Sequence, residues 1–429
     1  MHFDLLPPRE QLARIMRRIY DAGLTTLSGG NLSIRDDDGS IWITPSGVDK
    51  GALTASDIMR IAPDGTIEGV HKPSLEYPFH RAIYARRPDV TAIVHAHPPA
   101  LVTFSIARII PDTHIIPQAQ RVCGRVGYAP YATPGTDALG ASIAGAFAEG
   151  YDCALLENHG AVAVGGSLLA AYQRLETLDF CARTLLRARP LGVACGLTDA
   201  QLALFDAAPD ALLDEFTPTA HSSRERALRV EVARVVTRAC ERQLMIATEG
   251  VISARIDADS FVITPTGLDR RGIDHDDLVV IQRGRREAGK LPSRSARMHA
   301  AIYARHPDLG AIITAQPPNA MAYAVTACQF DSRTIPESYV MLRDVPLIPY
   351  GAPYVDPDSV AAAISSRTPV ALLQNDCALT VGASVLSAFD RLEVLEFSAR
   401  SLIDTLGLGA LVPMPDDALD DLRRAFGLS

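Results

Sequence analysis

The chain has no run of about 18 consecutive apolar residues, so no membrane-spanning helix is expected. It has no basic cluster either, and with a net charge of −9 nucleic acid is excluded as a partner class. The opening residues Met1-His2-Phe3-Asp4-Leu5-Leu6-Pro7-Pro8-Arg9-Glu10 lack the positive, apolar and small-residue zones of a secretory signal. C-x-x-C pairs are absent among the seven cysteines, at 123, 153, 181, 195, 240, 328 and 377. An odd, scattered set favours reduced thiols buried in a core, and with the missing signal it leads us to expect a cytoplasmic protein. What remains is an ordinary globular balance, 48% hydrophobic and 21% charged. At about 150 residues per domain, 429 residues suggest two or three domains.

The chemistry gathers at two places. Apolar Thr91-Ala92-Ile93-Val94 runs into His95-Ala96-His97-Pro98, the pattern of a buried strand ending in two imidazoles. Side chains alternate across a strand, so His95 and His97 share a face and Ala96 points away. Further on, Ala154-Leu155-Leu156 and Ala161-Val162-Ala163-Val164 form a second apolar pair, interrupted where His159 precedes Gly160, a residue that lets backbone come close. Three neutral imidazoles converging on one point make a catalytic-type divalent metal site with a position open for substrate. Glu76 supplies a carboxylate upstream. Imidazole accepts Zn2+, Mn2+, Co2+ and Fe2+, with Zn2+ taken first. Short polar side chains and glycine turns at Asn31, Ser46, Gly47 and Ser74 suit an anion such as phosphate or carboxylate.

In order along the chain, Leu12, Ile15, Met16 and Ile19 fall at helical spacing and predict a surface helix over 9–22. A glycine turn at Gly29-Gly30 leads into a hairpin of strands 32–35 and 41–44. A helix over 77–86 carries His80 and ends before Pro88. Strands and helices alternate from there to about Cys181, the pattern of an α/β sandwich around a mixed sheet. Residues 206–224, rich in Ala, Pro, Asp, Ser and Thr, read as a linker between domains over 1–205 and 225–429. Beyond it the pattern returns about 219 residues later, as an internal duplication. Thr264-Pro265-Thr266-Gly267 answers Thr44-Pro45-Ser46-Gly47, and His299 answers His80. The copy loses the chemistry: Glu76 is answered by Ser295, His95 by Thr314, His97 by Gln316, His159 by Asp376 and Asn31 by Val251. The second domain therefore reads as a degenerate copy lacking the metal ligands. A histidine kept where the metal is lost argues that His80 and His299 are both structural.

Glu76, then His95 and His97, then His159 before a glycine, with Gly29-Gly30-Asn31-Leu32-Ser33, Ile43-Thr44-Pro45-Ser46-Gly47 and Pro130-Tyr131-Ala132-Thr133-Pro134-Gly135-Thr136, resembles the class II aldolase/adducin family over about residues 10 to 200. The resemblance implies two tandem α/β/α domains, each a mixed sheet flanked by helices. It implies a metal held by His95, His97 and His159, Glu76 as acid/base residue, and an anionic substrate at Asn31, Ser46, Gly47 and Ser74. The expected activity is cleavage of a carbon–carbon bond in a small sugar phosphate or oxygenated acid through a metal-stabilised enediolate. The family also implies a ring-shaped homo-oligomer with sites between subunits, in which the second domain would act as a pseudo-subunit. Two departures weaken aldol cleavage. Leu75 stands where the phosphate aldolases have a second serine, and His114-Ile115-Ile116-Pro117-Gln118-Ala119-Gln120 lacks their tyrosine. Both suit decarboxylation or dehydration of a hydroxy or keto acid at the same metal. An adducin-like binding module and a non-haem iron oxygenase are the readings from other classes.

Overall fold

The computed structural model describes residues 3–207 and 213–428; residues 208–212 of the expected linker lie outside the described residues. Two compact units emerge, one within Met1–Thr113 and Gln118–Arg183, the other within His114–Pro117 and Thr184–Ser429. Among the described residues no helix is long and apolar enough to cross a membrane.

The first unit opens with helix α1 (Pro8–Asp21), whose buried face carries Leu12, Ile15, Met16 and Ile19. Strands β1 (Asn31–Arg35), β2 (Ile41–Ile43), β3 (Met59–Ile61) and β4 (Ile67–Glu68) form an antiparallel meander. Helix α2 (Tyr77–Arg86), strand β5 (Ala92–Ala96) and helices α3 (Pro99–Ala107) and α4 (Pro117–Cys123) follow. The unit continues through β6 (Val126–Ala129), α5 (Asp137–Ala148), β7 (Cys153–Leu156), β8 (Gly160–Gly165) and α6 (Leu168–Ala188). The strand order is β4-β3-β2-β1-β5-β8-β7-β6, and only β6 and β7 run parallel. Every residue of β5 is buried, as a central strand covered on both faces requires. Helices α2 and α5 pack together over one face, where Phe79, Ile83, Leu139, Ile143 and Phe147 meet Ile43, Met59, Ile93 and Val162.

The second unit repeats this plan. After α7 (Asp199–Ala207), β9 (Glu215–Phe216) and α8 (Ser223–Glu241) come β10 (Val251–Arg255), β11 (Ser260–Ile263), β12 (Val279–Gln282) and β13 (Arg285–Glu287). Helix α9 (Ala296–Arg305), β14 (Ala311–Ala315), α10 (Pro318–Thr326), α11 (Pro336–Leu342) and β15 (Leu347–Ile348) follow. The chain closes with α12 (Ala352–Val355), α13 (Pro357–Ala363), β16 (Val370–Leu373), β17 (Cys377–Gly382), α14 (Val385–Leu406) and α15 (Asp416–Phe426). Its order, β15-β16-β17-β14-β10-β11-β12-β13-β9, is that of the first sheet plus one edge strand. That extra strand, β9, comes from the stretch between the repeats and pairs parallel to β13.

The same stretch packs around the second unit's counterparts of the candidate site. Tyr354 donates to Asp376 Oδ2 at 2.6 Å, and its ring lies 5.7 Å from that of Phe205 in α7. Arg294, next to Ser295, stacks on Phe205 and donates to its carbonyl. The Asn375 amide donates to the carbonyls of Ile115 and Cys195, each at 2.8 Å.

Each unit buries one imidazole at the same place. His299 Nδ1 lies 2.7 Å from Ser253 Oγ, which also touches the Tyr303 hydroxyl at 2.9 Å, and burial pushes the His299 pKa down from 6.5 to about 3. A depressed folded-state pKa adds stability that is complete above the unfolded value and drains away as pH falls through the folded one. The melting temperature should therefore drop as pH is lowered from about 6.5 towards 3, less steeply in His299→Phe than in the parent chain. Equal slopes in calorimetry at a series of pH values would refute a buried neutral His299.

Candidate metal centre

The end of β5 lies between β1 and β8, with Asn31 opposite His95 on one side and Val162 opposite it on the other. Two glycines let the flanking chains close in. A Cβ on Gly30, whose φ is +70°, would stand 2.7 Å from the His95 carbonyl oxygen. One on Gly160 would stand 2.6 Å from the Ala96 oxygen and 2.7 Å from His97 Cδ2. No side chain fits at either place without moving backbone. The β7–β8 turn carries Asn158 at φ +53°, a left-handed conformation that Asn tolerates, and presents His159.

Three imidazoles meet as a result. Their ring centroids are 4.8, 4.9 and 5.0 Å apart, and one nitrogen of each of His95, His97 and His159 lies within 4.8 Å of the others. His95 is fully buried and the other two are partly exposed. His95 Nδ1 donates to the Ala161 carbonyl at 3.0 Å, which turns its Nε2 towards His97 Nε2, also at 3.0 Å. Burial, reinforced by the neighbouring imidazoles, lowers the pKa of His97 to about 3 and of His159 to about 4. At neutral pH both are in the ligand form.

Glu76, at the start of α2, points into this cluster. Its Oε2 is 3.3 Å from His95 Nε2 and its Oε1 3.4 Å from His159 Nε2. Oε2 also accepts from Asn31 Nδ2 at 2.6 Å, whereas Oε1 is buried with no hydrogen-bond partner. Burial pushes the carboxyl up, but His95, the Asn31 hydrogen bond and His159 together pull it below the ordinary carboxylate range, so it is ionised. Imidazole nitrogens facing one another beside an ionised, partly unpartnered carboxylate form a donor set that fits a divalent cation.

The anion-binding candidates are adjacent but unequal. A bridge between Pro45 and Pro73 and a hydrogen bond from Ser46 N to the Lys72 carbonyl at 2.9 Å hold the turn of Ser46 and Gly47 against the strand leading to Ser74. Gly47 is exposed, with φ +70° and open space around it. Ser74 Oγ accepts from Glu76 N at 3.2 Å, so its own proton is free to donate. The Asn31 carboxamide is engaged by Glu76 and His80. Leu75 is 75% exposed at the mouth and offers no donor.

Sequence reasoning passed over Lys50. Its ammonium is buried, donates to the Pro45 carbonyl at 2.5 Å and so pins the Ser46 turn; burial lowers its pKa to about 8, against the pull of Glu76. The signal was in the repeat, where Arg270 holds the Pro265 carbonyl at 3.0 Å in the same way.

In the second unit no imidazole replaces the three. Gln316 is buried with an unpartnered Oε1, and Thr314 and Asp376 are buried as well. Among the described residues, His95, His97 and His159 form the one cluster of His, Cys, Asp or Glu with metal-site spacing.

The family described as Class II Aldolase and Adducin N-terminal domain matches residues 10–186 and again 230–403. The chain belongs to this family, twice over. It is 33% identical over 182 residues to a 3-oxo-tetronate 4-phosphate decarboxylase of Haemophilus influenzae, covering 42% of this chain and 86% of that protein. It is 40% identical over 165 residues to a 5-methylthioribulose-1-phosphate/5-deoxyribulose-1-phosphate aldolase of Rhodospirillum rubrum, covering 38% and 73%. An L-fuculose phosphate aldolase of Methanocaldococcus jannaschii is 32% identical over 180 residues, covering 42% and 95%. These relatives are lyases, and class II aldolases use a divalent metal.

Elemental analysis of the purified protein should find one divalent ion per chain, lost in His97→Ala. Two ions per chain would mean that the second unit also binds metal; unchanged content in the variant would remove the imidazole cluster as its site.

Proposed function

We propose that the first repeat is a metal-dependent carbon–carbon lyase acting on a small oxygenated substrate that carries a phosphate or carboxylate. The observation that supports it most directly is an ionised Glu76 lying 3.3 Å from His95 and 3.4 Å from His159 beside a cluster of three imidazoles. His95, His97 and His159 would hold the cation, Zn2+ in the first instance. Once bound, it would act as a Lewis acid for the oxygen that gains charge as the bond breaks.

The residues of the chain divide the remaining work. The Ser46 hydroxyl, the Gly47 N–H and the Ser74 hydroxyl anchor the anionic end. In aldol cleavage Glu76 takes the proton of the hydroxyl that becomes the aldehyde, while the electron pair of the broken bond passes to the carbon beside the carbonyl. The same carboxyl then returns the proton to that carbon. Decarboxylation of a 3-oxo acid leaves the same electron pair on the same kind of carbon, with carbon dioxide departing and no hydroxyl proton to remove. The exposed Leu75 supports this second version, since it adds no donor to a phosphate cradle, and so do relatives bearing the decarboxylase name. We take residues 225–429 as a non-catalytic copy serving as a pseudo-subunit in a homo-oligomer; sedimentation showing only a monomer would remove that role.

The metal-loaded protein should be given L-fuculose 1-phosphate, 5-deoxyribulose 1-phosphate and 3-oxo-tetronate 4-phosphate, following dihydroxyacetone phosphate and carbon dioxide. One of them should be cleaved. Glu76→Gln should keep the metal and lose about 10²–10⁴-fold in turnover of an aldol substrate. No cleavage of any of the three by fully loaded protein would overturn the lyase reading and favour a binding module.

A further inference from the structure

Glu76 sits at the end of a line of buried hydrogen bonds that reaches deep into the core. Asn31 donates through Nδ2 to Glu76 Oε2 at 2.6 Å, so its Oδ1 is the acceptor facing His80 Nε2 at 2.5 Å. That assignment places the His80 proton on Nε2 and leaves Nδ1 to accept from Ser33 Oγ at 2.7 Å. Ser33 Oγ also lies 2.8 Å from the Tyr84 hydroxyl. Ser33, His80, Tyr84 and Asn31 are all buried, which holds the partners of this line in place.

The second repeat divides this line into two parts. Ser253, His299 and Tyr303 keep the inner contacts at 2.7 and 2.9 Å, so that portion belongs to the fold. The outer portion is gone: Val251 replaces Asn31, Ser295 replaces Glu76, and His299 Nε2 is buried with no hydrogen-bond partner. An imidazole Nε2 left unsatisfied where the carboxylate is lost, and satisfied where it is present, separates the structural use of this histidine from a second use. We propose that His80 is a positioning residue: through Asn31 it holds Glu76 in the rotamer that directs Oε1 into the imidazole cluster. The inference rests on the reading of Glu76 as the proton-transfer group. His80 itself touches neither the cluster nor the open point.

The experiment must separate positioning from packing and must not depend on knowing the substrate. His80→Phe keeps an aromatic ring against Phe79, whose ring is stacked 4.3 Å away, and removes both nitrogens. His299→Phe is the matched control, losing the same inner contacts where no carboxylate depends on them. Asn31→Val cuts the line with the residue that the second repeat already accommodates, so it tests the link even if His80→Phe fails to fold. The first readout is the visible absorption spectrum of the cobalt(II)-loaded proteins. His80→Phe and Asn31→Val should shift it alike, the double variant no further than either single one, and His299→Phe not at all. Where a substrate has been found, kcat should fall about 10- to 100-fold in His80→Phe with little change in KM. An unchanged cobalt spectrum in Asn31→Val, or shifts that add in the double variant, would overturn the proposal. A shifted spectrum in a protein that cleaves nothing would sustain the positioning and refute the lyase reading instead.

Discussion

Everything in the candidate centre depends on how closely two chains approach the end of β5. Backbone can come that near only where a side chain is missing, and Gly30 and Gly160 provide this on the two sides of the strand, each with less than 3 Å between a hypothetical Cβ and a carbonyl oxygen of β5. The first brings Asn31 opposite His95, and the second brings the turn holding His159 over His97. With the strand clamped in this way, His95 Nδ1 is held by its bond to the Ala161 carbonyl and its Nε2 is turned towards His97 Nε2.

The two repeats show which of these features the fold needs. Both sheets have the same strand order, both bury a histidine under a serine and a tyrosine, and both pin the Pro45 or Pro265 turn with a buried cation. Apolar packing and ladder pairing are enough to preserve all of that. The ligands are another matter. Cys377 occupies the place of Gly160, and with Gln316 in place of His97 a side chain is accommodated there. The positions of the lost ligands are not all apolar, and His299 Nε2 and Gln316 Oε1 are buried there without hydrogen-bond partners. Each carries the cost of a buried unsatisfied group, about 1–3 kcal/mol.

Much of this was legible along the chain, and the reasons are local. Period-3.6 patterning marked α1, the hairpin turn marked β1 and β2, Pro88 closed α2, and the spacing of the matched motifs exposed the duplication. Alternation along β5 put His95 and His97 on one face before any fold was known. The stretch between the repeats was less readable: its Ala, Pro, Ser and Thr carry no periodicity, yet α7 and β9 form there because Arg294, Tyr350 and β13 receive them. That order is imposed from outside the segment.

The sequence alone determined the elements, their repetition and the residue types able to hold a cation, because each is written in short-range spacing and in matches between positions of one chain. Tertiary structure decided the rest. The convergence of His159 on His95 across 63 intervening positions, the unpartnered Glu76 Oε1, and the line from Ser33 through His80 and Asn31 join residues whose separation in sequence says nothing about distance. They exist only when the β1, α2 and β8 backbones are brought together around β5, and that requires the folded sheet.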